Sequence, residues 1–399
     1  MAQQNFSTVI SILPDESVIA FYSAVGKDKA SIKHTVKSYK ARFADEEFYK
    51  EFARCLREYA AANPSYAGKN AFVTVLLPDG LINTATFNIP GVNKKNTENL
   101  FNVAYEGTYK NSKELKMNHY AVAQNKQFST IAIAVIRQKL VQEIYTACTG
   151  SNMFASILTF SANACVNGAL SLVPKLKNEN FILLDIKESR STLAFVNKGL
   201  TLGCYDLPFG WELLNQSKPA AENMLFSHSV AELAVVNAKE KAKAKQLSTM
   251  EADTSQALEQ DENAEGGLSQ EAENPAARQI SQIKTLPKKV PRALPKWMQR
   301  EYENTPEAIA YENFRIFVKW ALEFRRANRR LCEIAEPTKV YINMPEQFEY
   351  LLDKVSEEEE QNKIKFVSLD INKEKDVIRE HIELYGGLFA GQLNSLNNF

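Results

Sequence analysis

The chain opens on two short runs in which apolar and polar residues alternate, "FSTVISIL" and "SVIAFYS", on either side of Pro14-Asp15-Glu16. β-branched and aromatic residues flanking a Pro-Asp turn predict a β-hairpin over residues 6–23. The period then changes. Phe48, Phe52, Cys55, Leu56 and Tyr59 recur at helical spacing, and Asp45, Glu46 and Glu47 suit a first turn, so a helix is expected over about 44–63. Asn63-Pro64-Ser65 and Gly68 end it. "NAFVTVLLPDG" (70–80) is a continuous apolar run of strand length, and "TATFNIPGV" (84–92) follows as a second strand. A helix over about 97–105, a strand pair at 118–124 and 128–136, and a helix at 138–149 complete a small α+β group.

The pattern beyond it is strand ("FASILTF"), then a helix of small residues ("SANACVNGAL"). "FILLDIKESRSTLAFVNKGL" (181–200) reads as strand, turn, strand, and "TLGCYDLPFGWELL" (201–214) as a third strand entering a helix. A helical segment is expected from 220 to about 245. Residues 307–333 form one long amphipathic helix through Ile309, Phe314, Phe317, Trp320, Ala321, Phe324 and Leu331. Arg325, Arg326, Arg329 and Arg330 lie in its C-terminal half, where the macrodipole favours cations. "KVYINM" (339–344) is a strand, 345–360 a helix, 363–371 a strand and 376–384 a helix. The stretch 386–399 carries no charge and three glycines, and is expected to be loose.

Between 247 and 277 the chain holds acids and neither Lys nor Arg, and between 278 and 300 it turns basic and Pro-rich. Such a stretch buries too little apolar surface to offset its ordering entropy, so 246–300 reads as a disordered, charge-polarised insert.

Charge narrows the functional classes. The 399 residues hold 48 Lys and Arg against 48 Asp and Glu. A nucleic-acid partner, which would require a basic field, is not expected. One basic stretch, Lys27, Lys29, Lys33, His34, Lys37, Lys40 and Arg42, reads as a solvated face, with an acidic partner as the alternative. The 5 cysteines are scattered without a CxxC pair and the 4 histidines are isolated, so neither a disulfide framework nor a metal site is expected. "MAQQNFSTVISILPDE" has no basic n-region, and no run reaches the ~18 apolar residues of a membrane span. A cytosolic protein that reaches membranes only through a partner is the expectation. There is no Walker A, HExxH, GxGxxG or GxSxG sequence.

The order of elements at 181–214 resembles the second-lobe opening of actin-like ATPases: a strand ending in Asp185, a turn, a strand, Gly199, another strand, then "LPFGWELL". It is most similar to the PilM family of type IV pilus machines, with FtsA more distant. "FNIPGV", "STIAIAVIRQKLVQEIYTACTGSNM" (129–153), "FVKWALEFRRANRR" (317–330) and "VYINMPEQFEYLLDKV" (340–355) extend the likeness over about 300 residues. It implies an α/β, actin-like (ribonuclease H-like) two-lobed fold with a small α+β insert in the first lobe. The lobes would be 1–69 with 138–177 and 178–245 with 301–399; the insert would be 70–137.

The resemblance also implies where nucleotide would sit, on two phosphate hairpins and an adenosine turn. Glycines there let backbone N–H groups approach phosphate. The first hairpin, Leu13-Pro14-Asp15-Glu16-Ser17, has no Gly, a Pro without an N–H and a carboxylate at Glu16. The second keeps Asp185 and Ser189, with Lys187 at the Gly position. The adenosine turn, Asn343-Met344-Pro345-Glu346-Gln347, has no Gly and a bulky Met344. No cofactor is therefore expected, and the chain reads as a pseudo-ATPase. If ATP with Mg bound, Asp15, Ser17, Asp185, Lys187 and Ser189 would be the residues to hold it.

By the same resemblance, the function is that of a non-catalytic cytosolic scaffold of a type IV pilus or related secretion or motility machine. It would receive a short N-terminal peptide of an inner-membrane pilus-assembly protein in a groove between the first lobe and the insert. Phe87, Ile89, Pro90, Phe101 and Tyr105 are the candidate lining residues, with ordinary core packing as their alternative. The other readings are an ATP-binding switch with an altered site and an FtsA-like filament former, with self-association into a ring or filament.

Overall fold

The computed structural model describes residues 6–13, 17–25, 33–42, 47–90, 94–109, 111–124, 128–216, 306–327, 337–355, 361–369, 376–391 and 398–399. The expected helix at 220–245 and the insert at 246–300 lie outside them, as do Asp15 and the end of the long Arg-bearing helix. By packing the chain divides into two units, residues 1–212 with 320–399, and residues 213–319.

The first unit begins with strands β1 (Phe6–Leu13), β2 (Val18–Val25) and β3 (Lys33–Lys40), helix α1 (Phe48–Ala62) and strand β4 (Phe72–Leu77). Strand β5 (Asn83–Pro90), helix α2 (Lys94–Thr108), and strands β6 (Leu115–Gln124) and β7 (Phe128–Arg137) follow. Helix α3 (Gln138–Gly150), strand β8 (Ala155–Phe160) and helix α4 (Ser161–Leu172) lead to β9 (Asn180–Ile186), β10 (Ser191–Asn197) and β11 (Leu200–Leu207). After α5 (Pro306–Ala327) come β12 (Lys339–Asn343), β13 (Lys365–Ser368), α6 (Asp376–Glu380) and α7 (Ile382–Gly387).

Ten of these strands form two sheets of one design. The orders are β3-β2-β1-β4-β8 and β11-β10-β9-β12-β13. In each, three strands meander antiparallel and two more add in parallel. Parallel neighbours need a crossover, which α1 supplies between β1 and β4. The inner strands are covered on both faces, which is why "VISIL" and "FILLDI" are apolar at both parities rather than alternating. This doubled arrangement is the two-lobed, ribonuclease H-like fold that the resemblance implies.

Helix α4 lies in the common core: every residue from Ser161 to Ser171 is buried. Its small side chains let α7 cross it backbone to backbone. A Cβ on Gly168 would stand 2.5 Å from the Ile382 carbonyl oxygen, and one on Gly386 would overlap the Ala164 carbonyl oxygen. Of the expected loose stretch, Gly386, Gly387, Phe389, Ala390 and Phe399 are buried instead. Tyr385 and Phe389 are packed with Val9, Tyr22 and Ala164.

The insert begins later than expected. β4 pairs with β1 in the first sheet, so residues 72–77 belong to the lobe and the insert's own strands start at Asn83. Both strands of the apolar pair at 70–92 bear strand signatures, and the pattern alone does not say to which sheet each adds. The three-stranded sheet β5-β7-β6 carries α2 on one face. Along β7, Ile131, Ile133 and Val135 face α2, whereas Ala134 and Ile136 join the core of the lobe. Two further expectations change. The helices expected after β11 and β12 are 3₁₀ segments, Trp211–Asn215 and Glu346–Lys354. The last helix is broken at His381 into α6 and α7.

In the second unit the described residues are 213–216 and α5 up to Lys319. There the fully buried Asn313 amide donates to the Leu213 carbonyl at 2.7 Å. Among the described residues no helix is long and apolar enough to cross a membrane.

Candidate functional site

Strands β9 and β12 run parallel with Asn343 opposite Asp185, so the ends of both strands deliver polar groups to one place. Asp185 is 1% exposed. Its Oδ1 accepts from Asn343 Nδ2 at 2.7 Å, and its Oδ2 accepts from the Cys165 thiol of α4 at 3.3 Å. Lys187, two residues on, places Nζ 2.6 Å from Glu383 Oε1 on α7 and 4.0 Å from Asp185 Oδ2. Glu383 is itself 2% exposed. Three acidic or thiol donors, Cys165, Asp185 and Glu383, thus gather within 4.8 Å of one another, with an ammonium against them.

The charges settle each other. Burial pushes Asp185 above its ordinary value; Lys187 opposes the shift and Glu383 reinforces it. Burial would also raise Glu383, but the ammonium hydrogen-bonded to it wins and holds it below its ordinary value. Burial disfavours the charged form of Lys187, yet Glu383 and Asp185 keep it above its ordinary value. Lys187 and Glu383 are therefore a charged pair at neutral pH, and Asp185 is the group that takes up a proton most readily. The remaining Glu383 oxygen, Oε2, and Asn343 Oδ1 are buried without a hydrogen-bond partner.

This donor set is a poor match for magnesium. Mg²⁺ asks for six oxygen donors near 2.1 Å and retains several waters. Here one donor is a soft thiol, Asp185 Oδ1 is committed to Asn343, and a cation is already in contact with Glu383. The backbone around the β9–β10 turn is likewise committed. The Lys187 N–H donates to the Arg190 carbonyl at 3.0 Å, and the Lys187 and Glu188 carbonyls accept from Trp211 and Glu212 at 2.7 and 3.1 Å. Gly210 permits that approach: a Cβ there would overlap both carbonyl oxygens. At the third element, Met344 is 2% exposed, and its carbonyl accepts from Arg379 Nη1 at 3.1 Å. Arg379 Nη1 also meets Glu349 at 2.5 Å.

Of the residues named for nucleotide, the structure brings Asp185 and Lys187 together. Ser17 and Ser189 are exposed turn residues, Ser17 at φ 52°, and Asp15 lies outside the described residues. The sequence reading missed Glu383 and Cys165 as partners. Glu383 carries a legible signal, since it is a lone acid inside the buried run Ile382–Gly387.

The residues named for a partner groove divide differently. Ile89, Phe101 and Tyr105 are core, packed with Ile131, Ile133 and Val135 between α2 and the insert sheet. The Phe87 and Phe101 rings meet edge-on at 5.8 Å, and Phe101 lies 5.0 Å from the His119 ring. These three side chains fill a small hydrophobic core and do not line a groove; the aromatics that marked the segment are what holds it together. Phe87 is half-buried and Pro90 exposed. The insert and the lobe do leave a groove elsewhere, between the edge strand β6 and α3. It measures about 700 Å³ and is lined by Leu115, Lys116, Met117, Gln138, Val141 and Tyr145 among others.

No protein-family model matches the chain, and no curated protein matches it. Among solved structures, that of the PilM-PilN type IV pilus biogenesis complex matches 96% of this chain and 98% of its own, with a TM-score of 0.54 and 11% identity. The cytoplasmic domain of EpsL, an inner membrane component of the type II secretion system of Vibrio cholerae, matches 52% of this chain and 71% of its own at a TM-score of 0.36 and 10% identity. The ethanolamine utilization protein EutJ from Carboxydothermus hydrogenoformans matches 98% and 90% at 0.35 and 10%. The last two are too distant in shape to carry an argument. The doubled five-stranded sheets, the insert and the near-complete match together give this chain the actin-like fold in the form seen in the PilM-PilN complex.

Proposed function

We propose that the chain is a docking scaffold of a type IV pilus or related secretion machine, and that it works without binding or hydrolysing ATP. The observation that carries the second half is Lys187. Its ammonium lies 2.6 Å from Glu383 and 4.0 Å from Asp185, at the strand end where the actin-like resemblance calls for a nucleotide-bound cation. An internal charge that balances buried carboxylates removes the drive to recruit an external one. The first half is supported by the likeness to PilM, which was solved together with PilN. On this reading the chain sits in the cytosol and is held at the inner membrane by a partner. The insert and α3 offer the place to dock: β6 is the edge strand of its sheet and lies beside an open groove, the setting in which an extended segment adds to a sheet.

The test is capture from solubilised inner membranes with the purified chain, followed by peptide mapping. A single-span protein whose short cytosolic segment suffices for binding is the expected result. It should be lost when the exposed groove residues Lys116 and Gln142 are both changed to Glu. Capture unaffected by those changes, together with a nucleotide-dependent rise in thermal stability, would reverse the proposal; a ligand specific to the folded state at 100 times its Kd adds about 2.7 kcal/mol.

A further inference from the structure

One end of the groove between β6 and α3 is filled by the chain itself. Lys116, Asn118 and Tyr120 alternate onto the same side of β6, away from α2. Lys116 lines the open part of the groove, Asn118 Nδ2 donates to the Asn398 carbonyl, and Tyr120 donates to the Thr201 carbonyl at 2.6 Å. On the opposite wall, Val141 and Tyr145 stand one helical turn apart on α3. The Tyr145 hydroxyl donates to the Phe399 backbone oxygen at 3.1 Å. The Phe399 N–H donates to the Leu158 carbonyl at 2.7 Å, on β8 at the edge of the first sheet. The Asn398 side chain donates to Ala390 at 2.6 Å. The Phe399 ring is 7% exposed and belongs to the core cluster of Val141, Ile144 and Leu158.

Residues 398–399 are thus held as a bound peptide would be: by backbone groups on two sides, one sheet edge, and one aromatic anchor. They use the groups an extended segment entering the groove would need. Buried polar groups must be partnered, so a segment covering Tyr145 and the Leu158 carbonyl has to take them over. Lys116 is the one charged residue among those lining the groove.

We propose that this end of the groove is a receptor for an extended segment with uncharged side chains and an aromatic anchor, and that residues 398–399 occupy it in cis until a partner segment of the same chemistry displaces them. The inference rests on the docking reading of this groove and adds its regulation and the chemistry of its ligand. A tethered occupant competes at a high effective concentration, in the millimolar range for a short linker, so the site is hidden from the same sequence offered in trans.

The probe is a fluorescently labelled synthetic peptide of residues 391–399, titrated by anisotropy against the chain truncated after Ala390 and against the intact chain. The truncated chain should bind it saturably, the peptide carrying Phe399→Ala should bind at least ten-fold more weakly, and the intact chain should show no binding over the same range. Equal binding by intact and truncated chains, equal binding of the two peptides, or no binding by a folded truncated chain would overturn the proposal. If truncation prevents folding, full-length Phe399→Ala with a native circular-dichroism spectrum must gain at least ten-fold in affinity for the peptide over the intact chain, and failure to do so overturns it as well. Capture of a membrane partner can fail while this peptide binds, and the reverse, so the two ideas fall separately.

Discussion

Replacing Lys187 by Met removes the cation from a site where two carboxylates are 1% and 2% exposed. At an effective dielectric of ~20, a unit charge 2.6 Å from Glu383 and 4.0 Å from Asp185 is worth about 6 and about 4 kcal/mol of gross attraction. Most of that is offset by desolvation, and the net cost of removing one partner from a buried pair is about 3–5 kcal/mol. Asp185 contributes the smaller part, because burial already raises its pKa and it escapes by taking a proton. Glu383 contributes the larger, since its value is lowered chiefly by Lys187, with smaller contributions from His381 and a local backbone hydrogen bond. The sign of the pH dependence follows. In the parent chain the depressed Glu383 adds stability above its unfolded value and loses it as pH falls through the folded one. The elevated Lys187 adds stability below its unfolded value and loses it as pH rises through the folded one. The pair is therefore fully effective through the neutral range. In Lys187→Met, Glu383 keeps its burial and loses its partner, so its pKa rises and the variant gains stability as pH falls from 7.5 towards 5. Urea unfolding at both values is the assay. The expected result is a loss of about 3–5 kcal/mol at pH 7.5 that shrinks at pH 5 and is largely recovered by Lys187→Met with Glu383→Met. A pH-independent loss under about 1 kcal/mol, as for an exposed lysine, would refute the reasoning.

Phe101→Ala should cost about 3–5 kcal/mol in urea unfolding, because the ring is core; a purely binding residue would leave stability unchanged. Gly386→Val should cost about 3 kcal/mol or more, since its side chain would overlap the Ala164 carbonyl, while Gly80→Ala, with open space around it, should change stability by no more than about 0.5 kcal/mol. Burial pushes the Cys148 thiol up to about 12 and raises Cys55 and Cys165 as well, so iodoacetamide at pH 8 should spare all three until the protein is unfolded, as read by peptide mass spectrometry.

Elements whose signals are local were legible in the sequence. The β1–β2 hairpin announced itself by β-branched and aromatic residues on both sides of Pro14-Asp15, and α1 by the spacing of Phe52, Cys55, Leu56 and Tyr59, all of which are buried. What pairs across long separations was not. The two sheets share an order of backbone pairings and no visible repeat of side chains, so their likeness appears only when strands are placed. The glycines of 386–391 read as looseness because their use, a close crossing of α4, depends on Gly168 more than two hundred residues away. Asp185 was singled out as a kept nucleotide residue and Lys187 as the replacement of a glycine; that Glu383 binds the lysine could not be read from either segment alone. The aromatics of the insert were singled out as groove lining, and Ile89, Phe101 and Tyr105 pack inside the insert. Phe101 and Tyr105 were conspicuous because a small core needs large rings, whereas the groove wall is made of Met117, Gln138 and Val141, which carry no local signal.

The central claim is that a lysine stands in for the cation and leaves docking as the task. Isothermal titration of the purified chain with Mg-ATP addresses it most directly. The account predicts no saturable heat at millimolar nucleotide. Stoichiometric binding that disappears in Asp185→Asn would contradict it.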